Sequence, residues 1–354
     1  MSAPSSNKNN PGNFFEDFRL GQQIRHATPR TVTLGDVAVY QALFGARFAV
    51  QSSDAFARAI GYPQAPLDDL LVFHVVFGKT VPDISLNAVA NLGYADCRFL
   101  KPVYPGSTLN AISEVIGLRE NANRKTGIVY VRSRGFDESG ETVLDYVRWV
   151  MVRKCDESAP SPPEKVPELP KAVEPTQLGA ACPRIDPAAY DTALAGSPHR
   201  FSNYKVGEKI DHVDGVTVEE AEHMMATRLY QNTARIHFNQ FVESKGRFGR
   251  RLIYGGHAIS LARALSFNGL GNAFHVAAIN GGRHVAPLFA GLTVFAWSEI
   301  LAMADLPGRT DVGALRLRTI ATKDRPCRDF PLKDGDDYDP AVILDLDYWV
   351  LMPR

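Results

Sequence analysis

Phe15-Glu16-Asp17-Phe18-Arg19-Leu20-Gly21-Gln22-Gln23-Ile24 returns in outline as Phe201-Ser202-Asn203-Tyr204-Lys205-Val206-Gly207-Glu208-Lys209-Ile210. The aromatic residues Phe15/Phe201 and Phe18/Tyr204, the glycines Gly21/Gly207 and the isoleucines Ile24/Ile210 share one offset of 186 positions, which His26 and His212 keep. A second block runs from Arg98 to Thr108 and again from Arg283 to Thr293, with Arg, Pro, Gly and Thr recurring at an offset of 185. A third pairs Val143-Leu144-Asp145 with Ile343-Leu344-Asp345, and Trp149-Val150 with Trp349-Val350, at an offset of 200. Three blocks in one order at a nearly constant spacing mark a duplication. The larger last offset places an insertion late in the second copy, at Lys323–Pro340, a polar stretch with six Asp.

Copies of about 150 residues suit two cores better than one. The chain of 354 residues therefore divides into an N-terminal domain at 14–155, a Pro-rich linker at 156–198 and a C-terminal domain at 199–354. Eight prolines fall in 156–187. Proline fixes φ and lacks an N–H, so this stretch does not easily join a sheet or helix and reads as a semi-extended strap. Within each copy one long apolar helix is expected, at Pro66–Thr80 and at Gly255–Asn268, where Leu261, Ala264 and Leu265 follow helical spacing. Alternation around Ile128–Arg132 and Leu315–Thr319 predicts half-buried strands, and Tyr104-Pro105-Gly106 a turn. A central helix wrapped by an antiparallel sheet is an α+β arrangement.

Composition narrows the function. Hydrophobic residues make up 45% of the chain, and Lys+Arg and Asp+Glu both number 39, a balance that argues against a nucleic-acid or membrane-surface binder. Met1–Asn13 is polar, without the apolar region of a signal peptide, and no stretch is apolar over the length of a membrane helix. A cytoplasmic location is the default expectation. None of the cysteines, Cys97, Cys155, Cys182 and Cys327, forms a C-x-x-C pair, so reduced thiols are expected. No Rossmann fingerprint, P-loop or metal-ligand cluster is present, and no metal or cofactor is expected.

Asn232-Thr233-Ala234-Arg235-Ile236-His237, followed by Ile253-Tyr254-Gly255-Gly256-His257, resembles the motif of the MaoC-like hot-dog family of (R)-specific enoyl-CoA hydratases. That family has G-D-x-N-P-hydrophobic-H and then a helix-opening H-G. His237 and Gly256 fall on its His and Gly; Asn232 stands where it has Asp. The resemblance implies two fused hot-dog domains. The runs at Pro11–Phe18, Leu71–Asn87 and Tyr230–Arg235 are similar to the subgroup that reversibly hydrates mesaconyl-CoA, an unsaturated branched dicarboxylic thioester, to β-methylmalyl-CoA in C5-dicarboxylic acid metabolism such as the ethylmalonyl-CoA pathway. Copy one has Ala46 and Gln51 at the motif positions, which makes it a binding half without catalysis.

Hydration of an enoyl thioester needs a base for water, a donor for the thioester oxygen and a proton for the α-carbon. Histidine does proton work near neutrality, and the motif selects His237 among nine, with His26, His74 and His257 read as packed groups. Asn232 is no base; its amide can hold water or orient the imidazole, and the other reading is a turn residue satisfying its own backbone. Gly255-Gly256 opens a helix, whose free N–H groups suit a developing oxyanion, and Gly256 is assigned that role. Arg235, Arg250, Arg251 and Arg283 are candidates for the substrate carboxylate and the CoA phosphates, Arg235 first because it lies inside the motif. The family implies further acyl-CoA contacts at Tyr254 and Gly255, at Pro66-Leu67-Asp68-Asp69, at Leu92-Gly93-Tyr94-Ala95 and at Val103-Tyr104-Pro105. CoA enters as part of the substrate, and the homo-oligomeric state stays open. Two other readings stand beside this one: a hot-dog acyl-CoA thioesterase and a non-catalytic acyl-CoA-binding subunit.

Overall fold

The computed structural model describes residues 8–354. Each copy contributes one long buried helix, Asp69–Thr80 in the first and Gly255–Leu265 in the second. Every residue from Leu70 to Thr80 is buried, as a helix apolar on all sides must be. Both helices are shorter than their apolar runs. At the first, Asp68 acts as N-cap, its carboxylate accepting from the Leu70 N–H at 2.9 Å, so Pro66 and Leu67 lie outside the helix. At the second, Asn268 and Gly269 leave helical geometry, Gly269 at φ 102°.

Among the described residues a single eleven-stranded sheet wraps both helices. Copy one supplies, from its outer edge inward, Gln23–Arg25, Thr108–Glu120, Thr126–Phe136, Thr142–Arg153 and Ala88–Phe99, with Arg30–Thr31 beside Thr108–Glu120. Copy two continues with His275–His284, Val342–Pro353, Val312–Lys323, Thr293–Asp305 and, at the far edge, Lys209–Thr217. The same internal order runs outward on both sides of the seam. At the seam the two central strands pair antiparallel, Ala95 opposite Gly281 and Cys97 opposite Ile279. The insertion in copy two forms a small hairpin, Lys333–Asp334 against Asp337–Tyr338.

Side chains alternate across this sheet with the period of two that strands impose. In Val342–Pro353, Leu346, Tyr348, Val350 and Met352 join the helix-side core, whereas Trp349 and Leu351 join a core on the opposite face. The linker supplies that second cover with Val173, Leu178, Cys182 and Ile185. Its prolines do not keep it off the sheet entirely: Lys165, which retains its N–H, bridges Leu118 at the outer edge. Further on, the Val173 N–H donates to Asn280 Oδ1 at 2.8 Å, and its carbonyl accepts from Trp349 Nε1 at 3.1 Å.

The repeated histidines are structural ties. His26 is held by Asp83 and Ser113, each at 2.7 Å. His212 is held by the Asn268 carbonyl at 2.7 Å and Ser298 at 2.8 Å.

Candidate active site

The Gly255 helix begins without a side-chain cap. The His257 N–H turns back to the Tyr254 carbonyl at 2.9 Å, and neither the Gly255 nor the Gly256 N–H has a partner among the described residues. Two glycines are needed here because rings crowd the turn. A Cβ on Gly255 would lie 2.4 Å from His284 Cε1, and one on Gly256 would lie 2.4 Å from the Tyr254 ring and 2.5 Å from His74 Cε1. Open N–H groups at a helix start, with the helix dipole behind them, form a site for developing negative charge.

His237 closes a single 3-10 turn, Arg235–His237, in the excursion that precedes this helix. Leu252 pins it from both directions: its N–H donates to the Ile236 carbonyl at 3.0 Å, and its carbonyl accepts from His237 Nδ1 at 2.9 Å. A carbonyl partner requires the proton on Nδ1, which leaves the Nε2 lone pair unengaged. Burial pushes the imidazole down to about 4, against the upward pull of the Leu252 carbonyl, so it is neutral at neutral pH.

Aromatic rings pack around this corner. His223 stands edge-on to both His237 and His257, with centroids 5.8 and 5.5 Å apart, and its Nε2 accepts from the Tyr254 N–H at 2.8 Å. His74, from the first half, meets Ser260 Oγ at 2.9 Å and the Tyr254 hydroxyl at 3.4 Å. Tyr94, also from the first half, reaches His284 Nε2 with its hydroxyl at 3.3 Å. The site is thus built from both copies.

The residues expected to form one cleft separate into two groups. Tyr94, Tyr254, Gly255 and Gly256 gather at the His237 corner. Pro66, Leu67, Asp68, Asp69 and Val103 surround the start of the other helix, where two narrow clefts flank Gln51 and include Ala46 and His275. Asp68 is pushed up to about 6 there, by burial first and by neighbouring Asp69 second. Gln51 donates to the Phe274 carbonyl at 2.7 Å, while its buried Oε1 is unpartnered.

Several residues expected to line the cleft are engaged elsewhere. Gly93 backs onto Trp149, because alternate residues of a strand point to opposite faces; Ala95 spends its backbone on the seam opposite Gly281. Leu92 is half-buried beside them, and Tyr104, next to half-buried Pro105, packs against the linker-side core. Arg251 is paired with Glu220, Arg250 stacks over Phe289 at 3.9 Å, and Arg283 lies over Tyr338 at 5.4 Å. Arg235 is exposed, and its guanidinium has no partner among the described residues. Asn232 is buried, and its Oδ1 accepts from the Ala234 N–H at 3.0 Å, the turn role; its Nδ2 stays free among the described residues.

Sequence reasoning missed His284 and His223. His284 sits inside the second repeat block, but nothing local in the sequence says that it meets Gly255.

A long buried helix in each half, a shared antiparallel wrap and a glycine helix start beside a motif histidine define a double hot-dog of the MaoC-like dehydratase class. Its fold is similar to the crystal structure of a putative MaoC domain protein dehydratase from Chloroflexus aurantiacus, with a TM-score of 0.96, 65% identity and 99% of each chain covered. A double-hotdog protein of Mycobacterium tuberculosis follows with a TM-score of 0.73, 26% identity and 97% and 99% of the two chains. Among proteins of known activity, the β-methylmalyl-CoA dehydratase of Chloroflexus aurantiacus is 65% identical over 99% of both chains. The mesaconyl-CoA hydratase of Cereibacter sphaeroides is 59% identical over 98% of this chain and 100% of its own. The family model for mesaconyl-CoA hydratase matches residues 4–172. The chain belongs to the mesaconyl-CoA hydratase family and is a hydro-lyase of the hydratase/dehydratase type.

Proposed function

We propose that this chain catalyses the reversible hydration of mesaconyl-CoA to β-methylmalyl-CoA, with His237 as the acid/base group. The observation that carries this reading is the corner itself: a neutral imidazole with a free Nε2 beside two unpaired N–H groups at a helix start. His237 Nε2 takes a proton from water as the oxygen bonds to the β-carbon. Charge moves to the thioester oxygen, which the Gly256 N–H receives. The imidazolium then returns its proton to the α-carbon. Asn232 Nδ2 is assigned to hold the water, its Oδ1 being engaged in the turn. Arg235 is the cation for the free carboxylate of the substrate, since the other three arginines already have partners.

The same reading gives one working site per chain. The first half has Asp69 at the position that the repeat offset assigns to Gly255, and a carboxylate there repels an enolate.

Incubating the protein with mesaconyl-CoA and following it by mass spectrometry tests the reading. A gain of one water supports it. Release of free thiol would point to a thioesterase, and binding without turnover to a non-catalytic acyl-CoA subunit; either result overturns it.

A further inference from the structure

We propose that His284 is a second catalytic group of this site, a neutral imidazole that donates its Nδ1–H to the thioester oxygen as the enolate forms; the proposal rests on the hydratase reading above. His284 ends the central strand His275–His284 of copy two. The face of its ring, at the Nδ1–Cε1–Nε2 end, presses on Gly255: a Cβ there would lie 2.4 Å from Cε1, 2.5 Å from Nε2 and 2.7 Å from Nδ1. The ring therefore lies against the first residue of the helix whose N–H groups are open.

Its tautomer is set from the other half of the molecule. Nε2 meets the Tyr94 hydroxyl at 3.3 Å. Burial keeps the Tyr94 phenol protonated, and Nε2 is the one acceptor its hydroxyl meets among the described residues, so the Tyr94 O–H is assigned as the donor to Nε2. The ring proton is then on Nδ1, which has no hydrogen-bond partner among the described residues. Burial, with the neighbouring His237 second, holds His284 down to about 4, so the ring is neutral at working pH. His237 has the opposite arrangement, with Nδ1–H on the Leu252 carbonyl and Nε2 bare. Two imidazoles thus bracket one glycine corner, one offering a lone pair and the other an N–H. A neutral imidazole N–H is an effective partner for a developing oxyanion because it keeps its proton. Asn232 replaces the motif's carboxylate and leaves His237 as its one acid/base group; His284 adds, from a different element, a hydrogen-bond donor rather than a second acid/base.

The atoms balance without any co-reactant. Water loses a proton to His237 Nε2, and its oxygen bonds to the β-carbon. The π pair moves to the thioester oxygen, held by His284 Nδ1–H and the Gly256 N–H. That pair returns to the α-carbon, which takes the proton from His237. His284 keeps its proton throughout, and both rings end as they began.

The test compares H284F with H284Q by steady-state kinetics on mesaconyl-CoA, with thermal melting as the check of folding. Loss of an oxyanion donor lowers kcat on the order of 10²–10³-fold. H284F is expected to fall into that range with KM changed less than about threefold, and H284Q, whose amide donates an N–H, to recover at least about tenfold over H284F. A packing role predicts the reverse order, since phenylalanine fills the ring's space better than glutamine. H284F within threefold of wild type, or H284F above H284Q, overturns the assignment. If H284F does not fold, H284M replaces it and the same order decides. Wild-type protein that adds no water to mesaconyl-CoA overturns the hydratase reading and this proposal together; normal wild-type hydration with an unimpaired H284F overturns this proposal alone.

Discussion

Asp69 and His275 face each other across the seam between the halves, carboxylate oxygen to Nδ1 at 2.9 Å, and the same carboxylate accepts from the Val276 N–H at 2.8 Å. This pair occupies the first helix start, where the second helix start is open. Replacing Asp69 with Ala removes both bonds and leaves buried groups without partners, so stability should fall by about 1–3 kcal/mol in chemical denaturation. Titration of the unaltered protein with a tight-binding enolate analogue should count one site per chain, the Asp69 carboxylate closing the first helix start to an enolate. Two sites per chain would contradict the division of labour between the copies.

His237→Ala should lower turnover on the order of 10²–10⁴-fold while the melting temperature stays near wild type, since its one side-chain hydrogen bond is to the Leu252 carbonyl. Near-normal turnover in a folded H237A would remove it from the chemistry.

Gly256→Ala places a methyl into the rings of Tyr254 and His74. Overpacking of this kind costs about 1–3 kcal/mol, and displacement of the N–H donor should add a drop in kcat of roughly 10²-fold. A G256A variant with wild-type kcat would show that its N–H does not meet the substrate.

Arg235→Leu should raise the barrier for mesaconyl-CoA more than for crotonyl-CoA, which lacks the second carboxylate. The exposed, unpaired guanidinium can be removed without disturbing the fold, so a selectivity change is readable. Equal losses in kcat/KM on both thioesters would assign Arg235 to the CoA portion.

Four buried histidines make the fold acid-sensitive. Burial pushes His74 and His257 down to about 3, His223 to about 2 and His212 to about 4. Their folded values lie below the unfolded value of about 6.5, so between these limits the unfolded chain binds more protons than the folded one. The stabilisation is complete above about pH 6.5 and is lost as pH falls, by roughly 1.4 kcal/mol per pH unit for each histidine. Urea midpoints should be flat from pH 7 to 8 and drop steeply from about pH 6 to 5. A flat midpoint through pH 5 would mean that these rings are not buried neutral.

Much of this architecture is legible in the chain because it is encoded locally. The duplication, the two apolar helices, the glycine pair at 255–256 and the motif placing His237 are all patterns of neighbouring residues, set by strand and helix periods and a constant offset. The helix ends are less so: the Asp68 cap and the backbone of Asn268 and Gly269 decide them.

What the tertiary structure alone decides is which half meets which. Tyr94 and His284 are 190 positions apart, and they meet only because Ala95 pairs with Gly281 at the seam. The Asp68 segment, expected beside His237, surrounds the other helix start for the same reason: edge pairing of two sheets, not sequence adjacency, places each segment. Local hydrogen bonds and side-chain periodicity act over a few residues and can be read in order along the chain. Contacts across the seam form only once both sheets exist to be joined, so no stretch of the sequence taken alone contains them.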